Sequence, residues 1–158
     1  MNRSHVALAI SLAYPFCLFG ATVPAAAQGH SATNADAAVL TVRVVDLRNK
    51  KGHLRLGVFD RSAGFPGERG NALLWKSVPA DSDHRSFSLE LPRGQYAVVV
   101  LHDENGNKKL DTNLIGIPKE GYGVSNNPKP KRRAATFQEA RFTLPPGGAS
   151  MTVSIQYS

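Results

Sequence analysis

Cysteine is almost absent from this chain: the one residue is Cys17, within the apolar segment from Val6 to Val23. A chain trimmed of that segment has neither disulfide nor thiol, which excludes thiolate catalysis, zinc–cysteine sites and iron–sulfur clusters. No stretch carries the 3.6-residue periodicity of an amphipathic helix, so a helical bundle is excluded. No internal repeat occurs, and no motif of nucleic-acid recognition accompanies the surplus of basic residues. Tryptophan is limited to Trp75, which reads as a packing aromatic ahead of a sugar platform.

What is present begins with a leader. Arg3 and His5 precede the apolar segment, and Ala25, Ala26 and Ala27 supply the small residues of a cleavage site. Pro15, Pro24 and the modest apolar length argue against a membrane anchor. The expected organisation is a signal peptide over 1–27, a small and polar flexible leader over 28–37, and one domain over 38–158. The expected destination is the periplasm or the cell exterior, with no membrane insertion after cleavage. The chain has 19 Lys and Arg against 12 Asp and Glu, a formal charge of +7, and only Arg3 of these cations leaves with the leader. Such a charge favours solubility and weak attraction to acidic envelope polymers, and nucleic acid is not an expected partner.

The domain reads as β throughout. Val39–Leu47 and His53–Phe59 alternate, with Asn49-Lys50-Lys51-Gly52 as a turn between them, and together they predict a hairpin. Leu73–Val78 is a shorter candidate. Arg85–Leu91 alternates with Phe87, Leu89 and Leu91 on one face. Gln95–Leu101 is almost continuously apolar and predicts a central strand. Ala135–Leu144 predicts another strand, with Phe137 out of phase with Phe142 and a bulge or kink between them. Ser150–Tyr157 alternates cleanly. About seven short strands separated by turn signals predict an all-β fold: a single antiparallel β-sandwich with Greek-key connections, immunoglobulin-like or transthyretin-like.

The chemistry concentrates after the central strand. Asp103, Asn105, Asn107 and Asp111 fall at positions one, three, five and nine of a calcium-loop spacing, and calcium is the one cofactor the chain suggests. Lys108 stands at position six where an EF-hand needs glycine, and Leu114 at position twelve where it needs glutamate, so an EF-hand is excluded. A looser calcium site would draw on Glu120 or backbone carbonyls. The alternative is an Ω-type loop whose Asn and Asp side chains bond their own backbone. Asp103 would then cap the amides of Asn105 and Asn107, Asp111 would cap that of Asn113, and Glu120 would pair with a lysine. A third reading makes His102 the base of a hydrolase. Adjacent strand residues face opposite sides, so Asp103 does not naturally orient that ring. Ser125 lies outside a G-x-S-x-G elbow, and neither Glu104 nor Glu120 has an evident carboxylate partner. The basic stretch Lys129–Arg133 reads as a solvated loop, although its cations would meet an acidic ligand held by the long loop.

These same residues carry a family resemblance. Gly94-x-Tyr96-Ala97, His102-Asp103-x-Asn105-x-Asn107, Leu110-Asp111-x-Asn113 and the run Gly116-Ile117-Pro118-x-Glu120-Gly121-Tyr122-Gly123-x-Ser125-Asn126-Asn127 closely resemble the signature of the bacterial family called domain of unknown function 2141. Phe137–Phe142 fits its later part, and the resemblance spans Leu40 to Tyr157. It implies a small exported bacterial β-sandwich, similar in general shape to transthyretin-like and collagen-adhesin B-type modules, and it brings no activity with it. The family pattern often has glycine where this chain has Lys108. The functional expectation is a non-enzymatic binding or structural module of the envelope that meets an unknown partner or small ligand through the 102–127 loop.

Overall fold

The computed structural model describes residues 37–81, 85–130 and 133–158. The expected signal peptide over 1–27 and residues 28–36 of the expected leader lie outside the described residues, and the first strand opens at Ala37. The strands among the described residues are β1 (Ala37–Val45), β2 (His53–Phe59), β3 (Leu74–Pro79), β4 (Arg85–Pro92), β5 (Gly94–Asp103), β6 (Gly121–Val124), β7 (Phe142–Leu144) and β8 (Ala149–Ser154). One helical turn, α1 (Phe137–Ala140), precedes β7.

Period-two patterning builds the first sheet, ordered β4-β1-β8. Leu40, Val42 and Val44 of β1 are fully buried, Phe87, Leu89 and Leu91 of β4 are nearly so, and Val39 is left outside. A one-residue slip would turn every one of these side chains to water, and each is worth about 1.5–3 kcal/mol of burial. The second sheet is ordered β3-β2-β5-β6, with β7 paired to the opening residues of β5. The two sheets stack through a common core that includes Leu54, Leu56, Val98 and Val100. This is the expected β-sandwich.

β5 is the central strand its apolar run predicts: it pairs with β2, β6 and β7, and eight of its ten residues are buried. Alternation is lost there because both faces are covered. The inner face meets the first sheet. The outer face is capped by a smaller cluster in which Phe59, Ala97 and Val99 meet Val124, Phe137 and Ala140.

Three expectations need correction. β1 and β2 do not form a hairpin: β1 pairs with β4 and β8, β2 pairs with β3 and β5, and residues 46–52 carry the chain from one sheet to the other. Each of the two strands buries an apolar face, and facing each other across the core satisfies both better than lying side by side. The sandwich is not wholly antiparallel, because β1 and β8 run parallel. The segment Ala135–Leu144 is not one strand. Thr136 and Glu139 form a reciprocal capping box that starts α1, and only Phe142–Leu144 continues as β7. The phase change between Phe137 and Phe142 is this helical turn.

β6 completes the frame. Gly123 lets it approach the first sheet closely: a Cβ there would lie 2.4 Å from the Ser154 carbonyl oxygen. Beyond β8, Gln156 exchanges backbone hydrogen bonds of 3.0 and 2.9 Å with Tyr122, so the chain end stitches the two sheets together at this corner. Ser125, Asn126 and Asn127 fasten the same corner. The Ser125 hydroxyl accepts from the Val98 N–H (2.9 Å) and donates to the Ala140 carbonyl (2.6 Å). The Asn126 amide reaches the carbonyls of Glu139 and Arg141, and Asn127 bridges Thr152 and Ser154 of β8.

Candidate functional site

The long connection from β5 to β6 leaves the sheet at Asp103 and returns at Gly121. Asp103 is fully buried and forms an ion pair with Arg55 of β2. Its two carboxylate oxygens also accept the N–H groups of Gly106 (2.8 Å) and Lys108 (2.9 Å). Burial opposes ionisation of this carboxyl, yet the Arg55 guanidinium and the two N–H donors hold it below the usual aspartate range. The expected self-capping is therefore present, one residue further along than the sequence suggests.

Asn105, Asn107 and Asp111 form the next tier. The Asn105 side-chain oxygen accepts from the Asn107 N–H (3.0 Å), and that of Asn107 accepts from the Lys109 N–H (2.8 Å). Their amide groups then donate to the two oxygens of Asp111, at 2.6 and 2.8 Å. Asp111 thus receives side-chain amides, and it is Asn113 whose oxygen accepts the Ile115 and Ile117 N–H groups. The structure consequently brings Asn105, Asn107 and Asp111 together as hydrogen-bond partners, while Asp103 faces Arg55.

Glu120 closes the loop without a lysine. It is 4 % exposed, and its carboxylate accepts the N–H of Glu104 (2.9 Å) and that of Asp111 (3.1 Å), joining the beginning, middle and end of the connection. A further clamp comes from outside the loop. Arg48 pairs with Glu104, donates to the Lys119 carbonyl (3.0 Å) and lies 4.6 Å over the Tyr157 ring. Arg48 draws the Glu104 carboxyl below its ordinary range against the effect of burial. Sequence reasoning missed Arg55 and Arg48, whose partners lie 48 and 56 residues away.

His102 is fully buried and points to the opposite side of β5 from Asp103, as strand geometry requires. One ring nitrogen lies 2.9 Å from the Lys51 carbonyl, which can only accept, so Nε2 carries the proton. Nδ1 then accepts from the Tyr157 hydroxyl at 2.6 Å. Burial pushes the Tyr157 phenol up from its ordinary value. Both ring nitrogens of His102 and the Ser125 hydroxyl are thus occupied by ties within the fold.

Between the loop and the outer face of the second sheet lies a groove of about 900 Å³. Val99 and Leu101 of β5 and Tyr122 of β6 form its floor, and Leu110, Ile115 and Ile117 of the loop form its wall. Trp75 of β3 stands at the far side, half-buried, its indole N–H donating to the Arg69 carbonyl (3.2 Å) and its ring 4.8 Å from the Arg69 guanidinium. The indole also meets Phe59 edge to face, so it serves both the outer cluster and the groove. Arg133, from the basic stretch Lys129–Arg133, reaches the groove too, while forming a bidentate pair with Glu139. That pair lowers the Glu139 carboxyl to about 2.

A family model described as an uncharacterized protein conserved in bacteria (DUF2141) matches residues 42–153. No curated protein and no solved structure matches the chain. The matched span contains the whole second sheet, the first sheet apart from residues 37–41 and Ser154, the whole long connection and the Ser125-Asn126-Asn127 corner.

Proposed function

The chain belongs to this bacterial family, DUF2141, and from that premise we propose that it is a non-enzymatic binding module, exported to the cell envelope, that holds a partner or small ligand against its 102–127 loop. The observation that carries the reading is the groove of about 900 Å³ between that loop and the outer sheet face. Ligand sites are concave, mostly apolar and largely preformed. Here the wall is a loop whose polar side chains already satisfy one another, so little ordering remains to be done on binding. The export element rests on the leader sequence. The non-enzymatic element is supported by the engagement of His102 and Ser125 in ties to backbone and phenol, which leaves neither of them a nucleophile–base pair.

The direct test is a neutral, environment-sensitive dye such as N-phenyl-1-naphthylamine. Its fluorescence is expected to rise on binding and to saturate at one site. Ile117→Glu places a charge on the groove wall at a residue 43 % exposed, and it is expected to weaken dye binding at least about tenfold, the effect of 1.4 kcal/mol, with the unfolding midpoint unchanged. Dye binding indifferent to that substitution removes the groove from the proposal.

The calcium alternative separates by stability. A cation at Asp103, Asn105, Asn107 and Asp111 would have to displace the Arg55, N–H and amide donors that those residues now engage. The expected result is that excess calcium followed by a chelator leaves the thermal midpoint where it was. A ligand that binds only the native state raises the midpoint by mass action, so an increase at millimolar calcium would restore the cation reading.

A further inference from the structure

The groove has a second property, the sign of its charge. Arg55, Arg69, Lys108, Lys109 and Arg133 line it, and none of its lining side chains is acidic among the described residues. Two of these cations are neutralised locally, Arg55 by Asp103 and Arg133 by Glu139. Arg69, Lys108 and Lys109 have no acidic partner among the described residues. Arg69 donates to the Lys108 carbonyl (3.3 Å), which ties it to the backbone of the lysine pair. The remainder is mostly apolar, with Thr112, Gln156 and Ser158 as its smaller polar share: Ile115 is 79 % exposed and Ile117 43 % exposed, although both belong to the groove wall. Exposed aliphatic side chains on an ordered loop, beside a cluster of unpaired cations, are a complementary surface for a molecule that has both characters.

We propose that the groove binds a small amphiphilic anion, a single negatively charged head on an aliphatic body, with the head at Arg69, Lys108 and Lys109 and the body along Leu101, Ile115 and Ile117. This rests on the groove being the binding site. The occupant is a monomeric small molecule, because the floor residues Val99 and Leu101 are only 5 % and 8 % exposed, at the bottom of a groove walled by the loop. A flat bilayer could reach only the rim. Lysines supply the charge as mobile points, so the geometry sets the sign of the head and leaves the choice of anionic group open. The aliphatic body contributes to affinity in proportion to the apolar area it removes from water.

The experiment displaces the neutral dye with three ligands of equal chain length: decanoate, decanol and decyltrimethylammonium. Decanoate is expected to bind about fivefold more tightly than the other two at low salt, the scale of one exposed ion-pair interaction in water. The preference should shrink as salt is raised to 1 M, where the screening length falls to about 3 Å. The double variant Lys108→Gln, Lys109→Gln is expected to bring the three affinities within about twofold, with the unfolding midpoint unchanged, since both side chains are exposed. Equal affinities in the unaltered protein, or a preference undiminished by the double substitution, overturns the anion assignment while the groove stands. Failure of the dye itself to bind removes the groove, and the anion assignment with it. Binding to anionic phospholipid vesicles without competition from decanoate overturns the monomeric occupant.

Discussion

Replacing Asp103 by alanine is expected to lower the unfolding free energy by about 3–5 kcal/mol, the cost of leaving one member of a buried ion pair uncompensated. The Arg55 side chain is 9 % exposed and that of Asp103 is fully buried, so both charges are largely withdrawn from water. Two backbone N–H groups, of Gly106 and Lys108, lose their acceptor in the same step. Urea unfolding measures the loss. Adding Arg55→Met to the Asp103 variant should recover part of the stability, because the unpaired guanidinium is then gone. A double variant as unstable as the single one would show that the N–H contacts, and not the charge, dominate. The ion pair also makes a pH signature. Because the native pKa of Asp103 lies below its unfolded value, its contribution is complete above the ordinary aspartate value of about 4 and is lost as pH falls through the depressed native one. Asp103→Asn is therefore expected to flatten the acid limb of the stability curve below about pH 4. An unchanged acid limb would mean that the carboxylate is not the group being titrated.

That pairing also marks how far the sequence could be read. Strands that cover one face of a sheet declare themselves, since Leu40, Val42 and Val44 alternate with residues that meet water. β5 was recognisable from the opposite sign, an unbroken apolar run buried on both faces. β6 was not, because Gly121 and Gly123 carry no side chain to make a pattern. Their role is to let the two sheets approach, which depends on Tyr157 and Ser154 at the far end of the chain. The helical turn α1 is visible in the sequence only as the phase break between Phe137 and Phe142, which a bulge or kink in a strand explains equally well. Its start signal, Thr136 followed three residues later by Glu139, was present in the sequence. The hairpin expected of β1 and β2 failed for a different reason. Local turn chemistry at Asn49–Gly52 is compatible with a tight reversal, but the connection crosses between layers. In the loop, Asn and Asp spacing made self-bonding legible. The registration of the loop on the sheet was not, since Arg48 and Arg55 act across long separations and Glu120 binds backbone groups at two distant points. The groove has no sequence signature at all. It exists because the loop stands against the part of the second sheet's outer face that α1 and its neighbours leave uncovered.

The connection between β1 and β2 gives the second large effect, at Gly52. Its φ is +67°, and a Cβ there would lie 2.0 Å from the Asp103 carbonyl oxygen and 2.7 Å from the Glu104 Cα. Both contacts are backbone, so no side chain can rotate away, and they fall where β5 ends and the long loop begins. Gly52→Ala is expected to destabilise the protein by about 1–2 kcal/mol through the left-handed backbone and by a further 1–3 kcal/mol or so through overpacking. Gly116→Ala separates the two contributions. Gly116 has a φ of +79° with open space at its Cβ position, so it should show the conformational part alone. Urea unfolding of the two variants is the comparison. If Gly52→Ala costs no more than Gly116→Ala, the residues 46–52 are not seated against the base of the loop. If it costs the larger amount, displacement of the Asp103 carbonyl should also disturb the loop that begins there. Amide exchange at Gly106 and Lys108, whose N–H groups bond the Asp103 carboxylate, should then accelerate beyond what the global loss of stability explains. The groove should lose affinity for the neutral dye in parallel, because its wall is held in place by the carboxylate that Gly52 helps to position.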